Sequence, residues 1–167
     1  MKTNQIATLF FLLLFCLSGC EKPAKSENFI KSAESEKFMK NEWKVESVVN
    51  ENKRFIITTE NTFFREEAYI LKFVNDSDFV LNTSVNYAGG SFQITSEGQI
   101  IINYGEWTEV GNAIEHQKKF DEQLLFVFNG VLTYTHTKDK LTFRGEENKE
   151  IVFVKVNKNN DKATFIK

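Results

Sequence analysis

The sequence predicts an α+β domain: a mostly antiparallel β-sheet, strongly twisted or barrel-like, with one covering α-helix. Three observations predict it. From Trp43 onward, apolar residues recur at every second position in short runs bounded by polar turn residues, the pattern of half-buried strands. A single later segment, around residues 112–128, carries its apolar residues at helical spacing instead. Seventeen Phe in 167 residues then supply bulky side chains for one core.

The chain opens with Lys2 and an apolar run, IATLFFLLLFCL, from Ile6 to Leu17. That is the length of a signal-peptide core and too short to span a bilayer. Leu17-Ser18-Gly19-Cys20 follows. The tetrapeptide resembles a bacterial lipobox, and residues 1–19 resemble a lipoprotein signal peptide. The resemblance implies cleavage before Cys20, a diacylglycerol thioether on its sulfur and usually an acylated amino group. Cys20 is thus the expected lipidation site, and the location is the bacterial cell envelope, anchored by lipid, with the outer membrane as the expected address. Residues 20–37 read as the lipidated cysteine and a flexible tether, because they are polar, hold the sole proline, Pro23, and offer only Phe29 and Ile30 as large apolar groups before the domain. Part of this stretch, from Ser26 on, has the pattern of a short amphipathic helix.

The domain is expected over 38–157, with a polar tail at 158–167. Trp43, Val45, Ser47 and Val49 share one face of the first strand. Residues 54–58 form a weaker second strand, and a polar connection at 59–68 contains Phe63-Phe64. Residues 69–74 and 79–83 are strands reversed at Asn75-Asp76-Ser77-Asp78. The segment Asn86 to Gly90 reads as a turn, its two glycines available for positive φ. Residues 91–95 and 99–104 are strands joined through Gly98. Asn112 with Glu115 makes a capping-box-like helix start, and Phe120, Leu124, Val127 and Phe128 form its apolar face. Lys118, Lys119, Asp121 and Glu122 are expected on the solvated face. Asn129-Gly130 ends the helix. Strands at 131–137, 141–144 and 150–156 close the domain. Trp43 is expected in the core, covered by Phe120 and Leu124 or by the closing strands.

Composition restricts the chemistry. Lys and Arg number 21 against 23 Asp and Glu, a net charge of −2, and loss of residues 1–19 removes only Lys2 from that balance. Such a surface argues against nucleic acid as a partner. Of the two cysteines, Cys16 leaves with the signal and Cys20 carries lipid, so no thiol nucleophile, disulfide or cysteine metal site is expected. His116 and His136 fall on a helix and a strand with no signal that they meet, and zinc needs further ligands. Glu66-Glu67 and Glu146-Glu147 are adjacent pairs without the opposed environments of an acid and base. Asp76-Ser77-Asp78 lacks the glycine and further oxygens of a calcium loop. No catalytic residue, cofactor or metal is expected, and the protein reads as non-enzymatic and monomeric.

The order of elements resembles the META domain, the HslJ-like family of bacterial lipoproteins. Asn41-Glu42-Trp43 stands where the family has Gly-x-Trp. Leu71-Lys72-Phe73 with the Asp76–Asp78 turn matches its Phe-rich hairpin. Ser84-Val85-Asn86-Tyr87-Ala88-Gly89-Gly90 matches its central turn, with Ser-Val in place of Gly-Cys. Thr108-Glu109-Val110-Gly111 matches the segment leading to the helix, and Leu132-Thr133-Tyr134 with Leu141-Thr142-Phe143 matches the closing hairpin. The resemblance implies a non-catalytic role in envelope integrity under stress, including tolerance of large apolar antibiotics. It assigns Asn86 a turn-forming role and no ligand. Two other classes stay open: a lipocalin-like carrier of a small apolar ligand, and a protein-binding or inhibitor module with an exposed aromatic patch at Phe63-Phe64 or Tyr104 and Trp107. Its protein or small-molecule partner is unassigned. An enclosed apolar cavity, as against a filled core, separates the first two classes.

Overall fold

The computed structural model describes residues 35–58, 67–108 and 114–157, and only the backbone of Glu106 and Trp107. The signal segment, Cys20, the tether as far as residue 34, Phe63-Phe64, Glu66, Asn112 and the 158–167 tail lie outside the described residues.

A short helix α1 (Ser35–Met39) leads into β1 (Glu42–Asn50), which turns through Glu51-Asn52 into β2 (Lys53–Ile56). Then come β3 (Ile70–Phe73), β4 (Asp78–Asn82), β5 (Tyr87–Ile94) and β6 (Gln99–Trp107). Helix α2 (Glu115–Val127) separates these from β7 (Gly130–His136), β8 (Lys140–Arg144) and β9 (Glu150–Lys155). Every pairing is antiparallel. The meander β3 to β9 runs strand to neighbouring strand, and β1 pairs with both β3 and β9, so eight strands close into a barrel with α2 packed across it. β2 lies outside the ring, paired to the second half of β1 on the edge whose first half carries β3.

Closure gives each of the eight ring strands a neighbour on both sides. It also gives the molecule two mouths. Both ends of the domain emerge at one of them, since Trp43 near the start of β1 is paired with Lys155 at the end of β9. The opposite mouth is covered by α2. There Asn50 Nδ2, at the far end of β1, donates to Gln123 Oε1 at 2.8 Å.

Aromatic rings fill the axis. Phe128, just past α2, meets Phe79, Phe143 and Phe153 at centroid distances of 5.2, 5.9 and 6.2 Å. Nearer the open mouth, Phe73 meets Phe92 at 4.9 Å and Phe38 of α1 at 5.5 Å. Phe120, Leu124, Val127 and Phe128 are buried, as the helical spacing predicts.

Four local expectations are corrected. On β1, the face of Trp43 and Val45 continues through Val48 and not Val49: the register against β9 slips between Val45 and Ser47, and this bulge shifts the alternation by one residue. Tyr87 to Gly90 is strand and not turn. The chain reverses at 83–86 instead, where Thr83 N–H donates to the Asn86 carbonyl at 2.8 Å. Gly90 serves close approach: a Cβ there would sit 2.3 Å from the Asn103 carbonyl oxygen on β6. At α2 the N-cap is Ile114, whose N–H reaches Gln117 Oε1 at 3.4 Å, half of a capping box set two residues later than expected. Asp121 is buried and not solvated.

Candidate functional site

Helix α1 lies over the open mouth. Its Phe38 is 1% exposed and points into the barrel against Phe73, Tyr134 and His136, with ring distances of 5.5, 5.2 and 5.5 Å. The Phe38 carbonyl accepts the indole N–H of Trp43 at 2.7 Å, so the buried tryptophan has its one donor satisfied. Trp43 is core, as expected, but it sits at the opposite end of β1 from the α2 contact, and α1 caps it. The first helix, only five residues long, is therefore part of the core.

Two clefts open to solvent flank α1. One, of about 800 Å³, is lined by Met39, Lys40, Glu42, Lys72, Phe73 and Lys155 among others. The second, of about 370 Å³, is bounded by Lys37, Phe38, Asn41, Trp43, His136, Thr137, Lys138 and Lys155. Their charge differs. In the larger cleft Lys72 faces Glu42 at 3.5 Å, and Lys40 faces Glu36 of α1 at 3.5 Å. In the smaller one, three lysines and no carboxylate form the lining. Lys37, Lys138 and Lys155 make no ion pair among the described residues. Their positions follow from topology: the exposed side of α1, the β7–β8 turn and the last residue of β9 meet where the barrel ends. Asn41 Nδ2 donates to the Lys37 carbonyl at 2.8 Å and holds the start of the wall in place. His136 is half-buried beside Phe38, and its Nε2 has no hydrogen-bond partner among the described residues.

A second polar constellation lies under α2. Asp121 Oδ2 accepts from Ser84 Oγ at 2.6 Å, and Oδ1 accepts from the Ser84 N–H at 3.3 Å. The nearby Tyr69 and Thr83 side chains also favour the ionised carboxylate. Burial raises the Asp121 pKa above the usual carboxylate value, and the bonds from Ser84, with the nearby Tyr69 and Thr83 side chains, oppose that rise only in part. Ser84 and Asp121 are 1% and 4% exposed. A hydroxyl so enclosed, with no histidine described beside it, is a tie between the β4–β5 turn and the helix, not a nucleophile.

The remaining sequence candidates are placed apart. His116 is exposed on α2, whereas His136 is half-buried at the end of β7. Asn75 Oδ1 accepts from the N–H groups of Ser77 and Asp78, both at 2.8 Å, so Asp76-Ser77-Asp78 belongs to a side-chain-stabilised turn. Glu146 and Glu147 are exposed in the β8–β9 turn, and Asn86 is buried in the β4–β5 turn. No group of three His, Cys, Asp or Glu able to hold a metal ion occurs among the described residues. Tyr104 is 40% exposed. No described helix is long and apolar enough to cross a membrane. The cleft lysines were not singled out from sequence, because residues a hundred positions apart on a helix, a turn and a strand end make no motif.

No protein-family model matches the sequence, and no curated protein does. Among solved structures, the barrel superposes on a DUF4847 family protein from Bacteroides vulgatus with a TM-score of 0.47 and 18% sequence identity, over 72% of this chain and 95% of that one.

Proposed function

We propose that the protein is a non-enzymatic lipoprotein of the bacterial cell envelope, tethered through Cys20, with a META-type role in envelope stress tolerance. The observation that carries the non-carrier part of this reading is the occupied interior: Phe38, Phe73 and Phe92 meet ring to ring, and so do Phe128, Phe143 and Phe153, where a carrier keeps its ligand. The placement of α2 before the last three strands supports the META resemblance over the lipocalin one. The anchor is supported by the lipobox-like tetrapeptide and by its distance from the fold. Fifteen residues separate Cys20 from Ser35, so the tether spans at most about 50 Å when extended.

Cys20→Ser is expected to release the processed protein into the soluble fraction. Acyl chains add about 0.8 kcal/mol per buried CH₂, so two or three hold where one does not. Metabolic labelling with a fatty acid and membrane fractionation test this. A Cys20→Ser protein that is cleaved yet remains wholly in the membrane fraction defeats the proposal.

The closed eight-stranded barrel favours a second reading, a carrier of a small ligand. Binding would then be confined to the mouth, where a cleft reaches Trp43. Titration with apolar fluorescent probes separates the two, since a META-type filled core leaves such probes in solvent.

A further inference from the structure

We propose that the smaller cleft at the open mouth is an anion-binding site for a phosphate-bearing group, with Lys37, Lys138 and Lys155 as its charged wall. This goes beyond the proposed function and does not rest on Cys20 being lipidated.

Three observations carry it. First, the lysines are selective in what they lack. Lys40 and Lys72, in the larger cleft, each face a glutamate at 3.5 Å, whereas Lys37, Lys138 and Lys155, the last shared by both clefts, make no ion pair among the described residues. Like charges gathered without counter-charge repel, and an anion relieves that repulsion. Second, the concentration of positive charge is local. The protein carries a net charge of −2, so a general basic surface does not account for it. Third, the cleft has a floor. Phe38 and Trp43 form a rigid apolar base pinned by the indole hydrogen bond, and the volume of about 370 Å³ falls in the range of small-ligand sites. A low-dielectric wall behind the ammonium groups strengthens their field toward the opening.

Phosphate fits this chemistry because it offers several oxygens to several point charges at once. Lysine serves it as a point charge, with no demand for the planar two-point contact that arginine makes. The phosphate could belong to a membrane lipid headgroup or to a free solute, and the two sources are separable by experiment.

The test is calorimetric titration of the full chain in non-ionic detergent. The probes are inorganic phosphate, dihexanoyl phosphatidylglycerol and dihexanoyl phosphatidylcholine, the last being zwitterionic. The expected result is saturable binding of the anionic lipid, weakened about tenfold or more in the Lys37→Gln/Lys138→Gln/Lys155→Gln chain, as three partly exposed charge contacts would give. Binding should also weaken as salt rises. If inorganic phosphate binds with the same lysine dependence, a free phosphate suffices. If only the anionic lipid binds so, the headgroup is the source. Equal binding of the zwitterionic lipid, no binding of either anion, or affinity unchanged by the triple substitution overturns the proposal. The triple variant removes no described ion pair, and matching thermal unfolding confirms its fold; Lys138→Gln alone, at an exposed turn, gives the same direction with a smaller effect.

Discussion

Asp121 shows how one buried residue ties helix to sheet and makes that tie sensitive to pH. Its carboxylate is almost fully enclosed and receives Ser84 twice. Burial still wins over these bonds, and the folded state holds the proton more tightly than the unfolded chain does. A group whose folded pKa is raised contributes its stability in full below the unfolded pKa, near 4, and loses it as pH rises through the folded pKa. The carboxylate should therefore cost stability toward neutral pH, about 1.4 kcal/mol for each tenfold difference in acidity between the two states. Asp121→Asn keeps an acceptor for Ser84 without the charge. Its melting temperature, relative to the unmodified protein, should climb between pH 4 and pH 7. A constant difference across that range would show that burial does not govern the group. Sequence placed Asp121 on the solvated face because charged helix residues seldom face inward. The partners that make the exception possible, Ser84 and Tyr69, lie some 40 and 50 residues away.

At the scale of elements, periodicity located the strands from β1 to β9 and the helix between β6 and β7, since alternation and helical spacing are local properties. What it missed depends on what a neighbouring strand does. The slip that brings Val48 inward arises in the pairing of β1 with β9, a hundred residues away. The glycine pair reads locally as a turn, yet Gly90 is there for the backbone of β6. A Cβ at Gly90 would lie 2.3 Å from the Asn103 carbonyl oxygen and 2.6 Å from Tyr104 Cα, both backbone atoms that cannot rotate away. Gly90→Ala should destabilise the protein by about 1–3 kcal/mol, the usual cost of overpacking. Gly105, across the bulge on β6, has open space where its Cβ would be, and Gly105→Ala should shift the denaturation midpoint little. Equal midpoints for the two variants would remove close approach as the reason for Gly90. The cleft lysines were illegible for a related reason: each is an ordinary surface residue until closure brings α1, the β7–β8 turn and the end of β9 together.

For the whole molecule, the common exit of both ends decides how it carries mechanical load. β1 and β9 are antiparallel neighbours, and Trp43 beside Lys155 marks the mouth at which both ends of the described domain lie. If both ends are pulled apart, the β1–β9 ladder opens like a zipper, one hydrogen bond after another, and resists weakly. If the chain is held by residues ahead of α1 and drawn from the α2 end, β1 is dragged lengthwise between β3 and β9. Many ladder bonds then bear the tension together. In optical-tweezer experiments, attachment at residues 35 and 126 should need several times the rupture force of attachment at 35 and 157; equal forces would mean that β1 is not the strand that yields. The barrel thus withstands traction directed along β1 while coming apart readily when both ends of the domain are seized, a toughness that depends on direction.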